Sequence, residues 1–167
     1  MVIIGFHQVF IYFSGTELTI MAWLKFRSLD FSKPLNLINI GCEPSMDKIV
    51  ITLIDPYLFS YSFGTSVEGG NSTTEALKLD QWQHLSFVFS FPSFSVYIDG
   101  IDVTTPGSTI TDPSFSLKNI VRTLNYVGRS NWYMNGDLDA DADFDDLKLF
   151  NRALTQTEIQ FEMNNNL

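Results

Sequence analysis

The sequence predicts an all-β fold, either a two-sheet sandwich or a barrel, with one short helix at the C-terminal end. Apolar residues recur at every second position in many short segments, which is typical of strands with one buried face. Asp-Pro, Gly-Gly, Asp-Gly and Asn-Gly pairs separate these segments as turns. The chain has 167 residues, of which 45% are hydrophobic, enough for one domain with a sizeable core. We therefore expect residues 1–167 to form a single domain.

The strands are predicted in pairs and meanders. The even-numbered residues of Glu17 to Phe26 form a continuous apolar face. His84 to Phe91 repeats this alternation, and the apolar positions change parity in Phe94 to Ile98, which marks a second strand. Asp99-Gly100 predicts a hairpin into Ile101 to Thr105. Four further strands are predicted over Leu35 to Ile40, Ile49 to Ile54, Tyr57 to Phe63 and Phe144 to Phe150.

The helix is predicted to begin after Thr155. The run Thr155 to Glu158 fits a capping box, in which the Thr155 hydroxyl accepts from the backbone three residues on and Glu158 reaches back. The asparagines Asn164 to Asn166 end the helix after about nine residues, too few for a stable isolated helix. We therefore expect this helix to pack on a sheet.

Several large or charged side chains are predicted to lie in or near the core. Trp23 and Trp82 are assigned to the core with most of the phenylalanines. Asp145 has the same parity as Leu147 and Leu149, so its carboxylate is expected near the core, held by backbone donors.

Charge and residue counts exclude several classes of function. Ten Lys and Arg residues against nineteen Asp and Glu give a net charge of −9, so nucleic acid is not expected as a partner. One cysteine, Cys42, excludes an internal disulfide, and two histidines leave few residues for metal or triad chemistry. No uninterrupted run of about 20 apolar residues predicts membrane insertion. No basic residue precedes the apolar start of the chain, so no signal peptide is predicted in it.

Residues 137–146 hold six of the nineteen acids. In an extended segment Asp137, Asp139, Asp141 and Asp143 point to one side, and the carboxylates repel one another unless a cation lies among them. Oxygen-rich, flexible loops suit Ca²⁺, so these four residues are the candidate metal ligands. The alternative is a solvated acidic loop.

A second candidate site lies immediately before the acidic run. Arg129, Asn131, Trp132 and Tyr133 combine aromatic faces, which stack on sugar rings or partner side chains, with hydrogen-bonding groups. These four residues are the candidate ligand-binding rim. The alternative is that Trp132 covers a sheet edge.

Asn71-Ser72-Thr73 matches the acceptor triplet for N-glycosylation. Asn71 is therefore a candidate modification site, and the triplet has meaning only if the protein is secreted.

Five stretches, taken with their order and spacing, carry a family resemblance. They are Leu18 to Lys25 with its alanine-tryptophan pair, Asp80 to Leu85, Val96 to Gly100, Asn125 to Ser130, and Phe144 to Leu154 followed by Glu158-Ile159. Together they resemble the laminin G-like branch of the concanavalin A-like lectin/glucanase superfamily, to which pentraxins are related. Members usually have a longer N-terminal region, so residues 1–15 are expected to supply the missing edge strand.

The resemblance implies a two-sheet antiparallel jelly-roll sandwich with loops at its rim. It implies a non-enzymatic recognition module for glycan or protein, for which the acidic loop would make binding calcium-dependent. It favours an extracellular or cell-surface location. A structural subunit of a larger assembly is the alternative function.

A glycoside hydrolase is a third function that the family admits. Glucanases of this fold use a Glu-x-Asp-x-Glu strand, and Asp139, Asp141 and Asp143 have the same alternation without either glutamate. Retaining chemistry needs two carboxyl groups about 5 to 5.5 Å apart, which the shorter aspartates widen. We therefore expect no enzymatic activity and assign no catalytic residue.

Overall fold

The computed structural model describes residues 14–41, 48–63, 67–106, 117–130 and 138–165. Short strands dominate these ranges, as the alternating apolar pattern predicts. The strands are β1 Glu17–Phe26, β2 Leu35–Gly41, β3 Ile49–Asp55, β4 Leu58–Phe63, β5 Val67–Ser72, β6 Trp82–Ser90, β7 Ser93–Ile98, β8 Ile101–Asp102, β9 Leu124–Val127, β10 Leu138–Asp139 and β11 Ala142–Phe150, and helix α1 is Gln156–Asn164.

The strands form two sheets that pack face to face. The five-stranded sheet has the order β11-β1-β6-β7-β8, and the six-stranded sheet has the order β10-β2-β3-β4-β5 with β9 also paired to β2. Neighbouring strands are antiparallel except for β10 and β2. This architecture confirms the predicted all-β jelly-roll sandwich with one short helix. An edge strand was expected from residues 1–15, of which residues 1–13 lie outside the described ranges.

The facing sides of the two sheets hold one continuous apolar core. Inward residues of β1, such as Leu18 and Phe26, are at most 1% exposed. On β6, Phe87 makes an edge-to-face contact with Phe59 of the opposite sheet, with ring centroids 5.2 Å apart. Phe89 stacks on a β7 phenylalanine at 4.5 Å. Because aromatic rings bury large apolar areas, these phenylalanines contribute strongly to the attraction between the sheets.

One strand, β5, has a sequence that does not predict it. Its residues Val-Glu-Gly-Gly-Asn-Ser lack apolar alternation, and the glycine pair was interpreted as a turn signal. The structure places Gly69 and Gly70 in the strand, opposite Tyr61 and Ser60 of β4. An antiparallel partner with regular hydrogen bonding overrides the weak intrinsic preference of glycine for strands.

A bulge in β11 explains why the prediction for Asp145 is wrong. Trp23 of β1 pairs with Asp145, but Met21, two residues back, pairs with Lys148, three residues on. Asp146 takes a left-handed conformation with φ 49° at this point. The extra residue reverses the parity of the strand, so Asp145 is exposed while the leucines beyond the bulge pack against the core.

Helix α1 confirms the predicted capping box. Thr155 Oγ1 accepts from the backbone N of Glu158 at 3.3 Å, and Glu158 Oε2 accepts from the backbone N of Thr155 at 2.8 Å. The helix lies on the outer face of the five-stranded sheet, where Ile159 packs against Met21 and Val88. No helix in the described ranges is long and apolar enough to cross a membrane.

The core assignment of Trp82 is wrong, whereas Trp23 is half-buried. Trp82 is 46% exposed, and it pairs with Lys25 at the beginning of β6. Even-numbered residues of β6 point away from the main core, and Trp82 lies beyond the small apolar cluster under α1. Its neighbour Gln83 takes the inward position instead and is 3% exposed.

Phe89→Ala should lower the free energy of unfolding by about 3 to 5 kcal/mol, because it removes a fully buried ring. Trp82→Ala should lower it by only about 0.5 kcal/mol, because much of that side chain already faces solvent. Urea titrations followed by circular dichroism measure both changes. Equal losses in the two variants would contradict this division between core and surface.

Candidate functional site

One end of the sandwich brings together most of the polar residues that the sequence singles out. At this end β1 stops and β6 and β11 begin, because Lys25 of β1 pairs with Trp82 on one side and Asp143 on the other. The six-stranded sheet begins here too, where Leu35 of β2 pairs with Leu138 of β10. Residues 139–142 pass from one sheet to the other, so the acidic run crosses this end of the molecule.

A cleft of about 170 Å³ opens beside this crossing. It is lined by Ser28, Asp30, Leu35, Asp139 and Asp141, which we call the acidic cleft. Two of these residues, Asp139 and Asp141, belong to the predicted metal site. Asp30 was not predicted, and its Oδ1 accepts from the backbone N of Ser32 at 2.9 Å, which fixes the turn between β1 and β2.

Arg27 neutralises part of the acidic run. Its Nε donates to Asp141 Oδ1 at 3.0 Å, and its Nη1 donates to Asp143 Oδ1. The backbone N atoms of Arg27 and Ser28 both donate to the carbonyl O of Asp141, at 2.8 and 3.3 Å. The two carboxylates raise the pKa of the guanidinium through their hydrogen bonds. Two of the four predicted metal ligands therefore already have an internal cation.

Asp139 differs from these two acids because it is not part of the Arg27 ion pairs. Its Oδ1 is buried and has no hydrogen-bond partner among the described residues. Burial raises the pKa of Asp139, while the positive charge of Arg129 acts in the opposite direction. Asp139 is thus the acid in the cleft with a buried oxygen that has no partner among the described residues.

The described residues do not by themselves assemble a metal site. No group of three His, Cys, Asp or Glu side chains within them is placed to hold a metal ion. Asp137, the remaining predicted ligand, lies outside the described ranges. A calcium ion bound near Asp139 would compete with Arg27 for the carboxylates of Asp141 and Asp143. Calcium binding therefore stays a prediction.

The predicted ligand-binding rim is described only at Arg129. The guanidinium carbon of Arg129 lies 5.4 Å from the centroid of the Tyr126 ring, within the range of a cation–π contact. Asn131, Trp132 and Tyr133 lie outside the described ranges. The structure therefore brings Arg129 close to Asp139, and the rest of the predicted rim stays a prediction.

Two aromatic residues that the sequence did not single out for binding are exposed at the same end. Tyr57, in the turn between β3 and β4, is 50% exposed, and Trp82 is 46% exposed. Two backbone hydrogen bonds hold the segment between Tyr57 and Trp82 at this end. The backbone N–H of Thr73 donates to the carbonyl O of Tyr57, and the backbone N–H of Asp80 donates to the carbonyl O of Phe26. The Asp-Pro pair before Tyr57 marks a turn tip in the sequence, and this signal favours exposure.

The candidate glycosylation site, Asn71, lies in β5 opposite Phe59 of β4. The side chain of Asn71 is outside the description. Glycosylation at this position stays a prediction.

Comparison with known proteins identifies the family. The Laminin_G_3 family model, described as concanavalin A-like lectin/glucanases superfamily, matches residues 7–160. The chain belongs to this family. The match confirms the resemblance carried by the five sequence stretches. No curated protein matches the sequence.

Solved structures show the same fold at low sequence identity. The native heptameric SAP-like pentraxin of Limulus polyphemus has a TM-score of 0.67 and 14% identity, over 92% of this chain and 72% of that one. Domain 4 of AbnA, a GH43 extracellular arabinanase from Geobacillus stearothermophilus in complex with arabinotriose, has a TM-score of 0.65 and 19% identity, over 89% and 66%. Trypanosoma rangeli sialidase has a TM-score of 0.59 and 19% identity, over 87% of this chain but 22% of the sialidase. This fold supports a carbohydrate- or protein-binding module.

Arg27→Gln should lower the melting temperature, because Asp141 and Asp143 lose their shared cation. The decrease should be larger at about 10 mM salt, where the Debye length is about 30 Å, than at about 1 M, where it is about 3 Å. Scanning calorimetry at the two salt concentrations measures the difference. Arg152→Gln is the matched control, because its guanidinium pairs with one acid only, Glu158. A salt-independent decrease for Arg27→Gln would show that its charge is not what matters.

Proposed function

We propose that this chain is a non-enzymatic recognition module that binds carbohydrate at the end of the sandwich carrying the acidic cleft. The observation that carries this proposal is the combination of a polar cleft with two exposed aromatic side chains at the same end, those of Tyr57 and Trp82. Sugar rings present apolar faces that stack on aromatic rings and hydroxyl groups that need both donors and acceptors.

The charges in the cleft favour an uncharged ligand. Asp30 and Asp139 oppose an anion, while a free cation has to compete with Arg27 for the carboxylate of Asp141. A hydroxyl group donates and accepts at once, so it can bind beside a guanidinium and a carboxylate without separating them. Because the Arg27 ion pairs are anchored by two backbone hydrogen bonds, these polar groups are already ordered before a ligand arrives.

The comparisons support carbohydrate over other ligands. The GH43 arabinanase domain was solved in complex with arabinotriose, and the family description names lectins and glucanases. At 19% identity the arabinanase domain shares the fold alone, so arabinotriose is the first probe to test and not an assigned ligand.

An enzymatic function has less support. Asp141 and Asp143 each have a carboxylate oxygen paired with the guanidinium of Arg27, so neither oxygen is free to contact a glycosidic bond. Glycoside hydrolysis needs one protonated and one ionised carboxyl group on opposite sides of the scissile bond. Asp139, with its raised pKa, is the acid in the cleft best suited to hold a proton, and it lacks an identified partner on the far side of a sugar.

A structural subunit of a larger assembly is the second candidate function. It is favoured by the likeness to a pentraxin that is heptameric in its native form. Light scattering coupled to gel filtration tests it directly, because an assembly subunit elutes as a defined oligomer in the absence of carbohydrate.

Binding should be detected on a glycan array and by calorimetric titration with arabinotriose. Trp82→Ala should weaken the binding at least about fivefold, because a stacked ring contributes about 1 kcal/mol or more, with little loss of stability. Phe161→Ala is the matched control, since this ring is 66% exposed on α1, away from the cleft. No reducing ends should be released from any bound glycan.

Two results would contradict this proposal. An array without any positive glycan would remove the carbohydrate proposal and leave the assembly subunit. Turnover that Asp139→Asn abolishes would make the protein a hydrolase.

The predicted calcium site is tested by melting curves. If Ca²⁺ binds the acidic run, the melting temperature should rise with calcium concentration, because the ion binds the folded chain alone. Asp139→Asn with Asp141→Asn should abolish the rise, whereas Glu75→Gln with Asp102→Asn removes the same charge elsewhere and should not. Identical curves in calcium and in chelator would exclude the site.

A further inference from the structure

Helix α1 packs on an apolar cluster that is separate from the main core. The cluster consists of Met21 and Val88, on the outer face of the five-stranded sheet, and of Leu154 and Ile159 from the helical segment. The main core lies on the other side of the same sheet. Because the two clusters do not share side chains, the helix can leave the sheet without opening the core.

Hydrogen bonds to β11 and to the β7–β8 hairpin hold the helix on the sheet. Lys148 of β11 donates its Nζ to the carbonyl O of Glu162 at 2.7 Å and to that of Asn165 at 2.9 Å. These carbonyl groups belong to the last turn, where the helix has no basic residue of its own. On the other side, the amide groups of Gln156 and Gln160 both donate to the carbonyl O of Gly100 at 3.0 Å. The helix therefore bridges the sheet from β11 to the β7–β8 hairpin.

His84 lies on β6, between these two anchoring points. Its side chain is 1% exposed, and its Nδ1 is 3.3 Å from Ser86 Oγ. The ring of Trp23 on β1 meets it edge to face, with centroids 5.2 Å apart. Trp23 Nε1 is buried and has no hydrogen-bond partner among the described residues, so the indole does not donate to the imidazole. Burial is therefore the main influence of this surrounding on the charge of the histidine.

The charged groups around His84 come from three elements. Asp99 at the hairpin accepts from the backbone N of His84 at 2.8 Å, and Asp146 and Lys148 face it from β11. Glu162 of α1 lies 3.6 Å from the Lys148 ammonium. Burial lowers the pKa of His84 to about 4, and Lys148 adds to this decrease while the two aspartates oppose it. At neutral pH the histidine is therefore uncharged.

We propose that α1 is an acid-released clasp, in which protonation of His84 detaches the helix from the sheet and exposes the apolar cluster beneath it. In the released state His84 faces water and titrates near its ordinary pKa of about 6.5. The released state then binds a proton more readily than the closed state between about pH 6.5 and 4, so release is favoured as the pH falls through this range. Above about pH 6.5 both states hold a neutral histidine, and the closed state keeps its full advantage.

Hydrogen exchange measured by mass spectrometry on the whole protein tests the clasp. After correction for intrinsic exchange rates, the protection of residues 156–164 should fall about 10- to 100-fold from pH 7 to pH 4.5, because each unit of pKa difference is worth a factor of about ten. The protection of β3 in the main core should not change over the same interval. Binding of an apolar dye should rise in parallel as the cluster is exposed.

Two variants separate the role of His84 from helix packing in general. His84→Gln cannot be protonated, so its helix should keep constant protection over the whole range. Lys148→Met removes the bond to the last turn and leaves His84 in place, so its helix should be less protected at every pH. Its loss of protection should end at a higher pH than in the unmutated protein, because the Lys148 charge no longer lowers the pKa of His84. Phe161→Ala on the solvent side of α1 should behave as the unmutated protein does.

A pH-independent helix in the unmutated protein would overturn the clasp. So would a loss of protection in His84→Gln that follows the unmutated curve, because another group would then be the trigger. If His84→Gln does not fold, the Lys148→Met and unmutated curves decide, since the clasp requires the loss of protection to end at a higher pH in Lys148→Met than in the unmutated protein. Simultaneous loss of protection in β3 would mean that acid unfolds the whole domain.

Discussion

Strand β1 is the element on which the core, the helix and the cleft all depend. It pairs with β6 on one side and with β11 on the other, so it is an interior strand of the five-stranded sheet. Its even-numbered side chains enter the main core, and Met21 on its other face begins the cluster beneath α1. Thr19 Oγ1 donates to the carbonyl O of Arg152 and accepts from the backbone N of Leu154, which fixes the segment leading into the helix. Arg27, immediately beyond its last residue, organises the acidic cleft.

The predictable part of this fold is the part in which one face of a strand is buried. In β1, and from Leu85 to Phe89 of β6, the apolar residues that alternate in the sequence all lie in the main core. The pattern fails at the bulge in β11, because a single inserted residue reverses which side chains face inward and leaves no mark in the composition. It also fails for Trp82, since hydrophobicity alone does not tell which of the two faces of a strand is covered. The outer face of β6 is buried where α1 packs on it, and Trp82 lies beyond that region.

The acidic residues of the candidate site could be predicted from the sequence, but the residue that pairs with them could not. The density of aspartates from Asp137 onward is visible in the sequence, and repulsion among them requires a compensating charge. That charge comes from Arg27, more than 110 positions away, and its role depends on the antiparallel pairing of Phe26 with Ala142. Such a pairing depends on the order of the strands in the sheet, and the sequence alone does not give this order. The exposed aromatic residues were missed for the same reason.

The acidic cleft and the helix clasp lie on one strand but are energetically separable. Trp23 of β1, which contacts His84, lies four residues before Arg27, which forms the ion pairs just beyond the end of the strand. A rearrangement at Trp23 reaches Arg27 only by moving the backbone between them. That backbone is held by β6 on one side and β11 on the other, while Leu24 and Phe26 are buried in the main core. Close-packed cores resist small displacements, so release of the helix is expected to leave the geometry of the cleft unchanged. If both proposals hold, the domain combines an ordered recognition surface at one end with a separately releasable helix on one face.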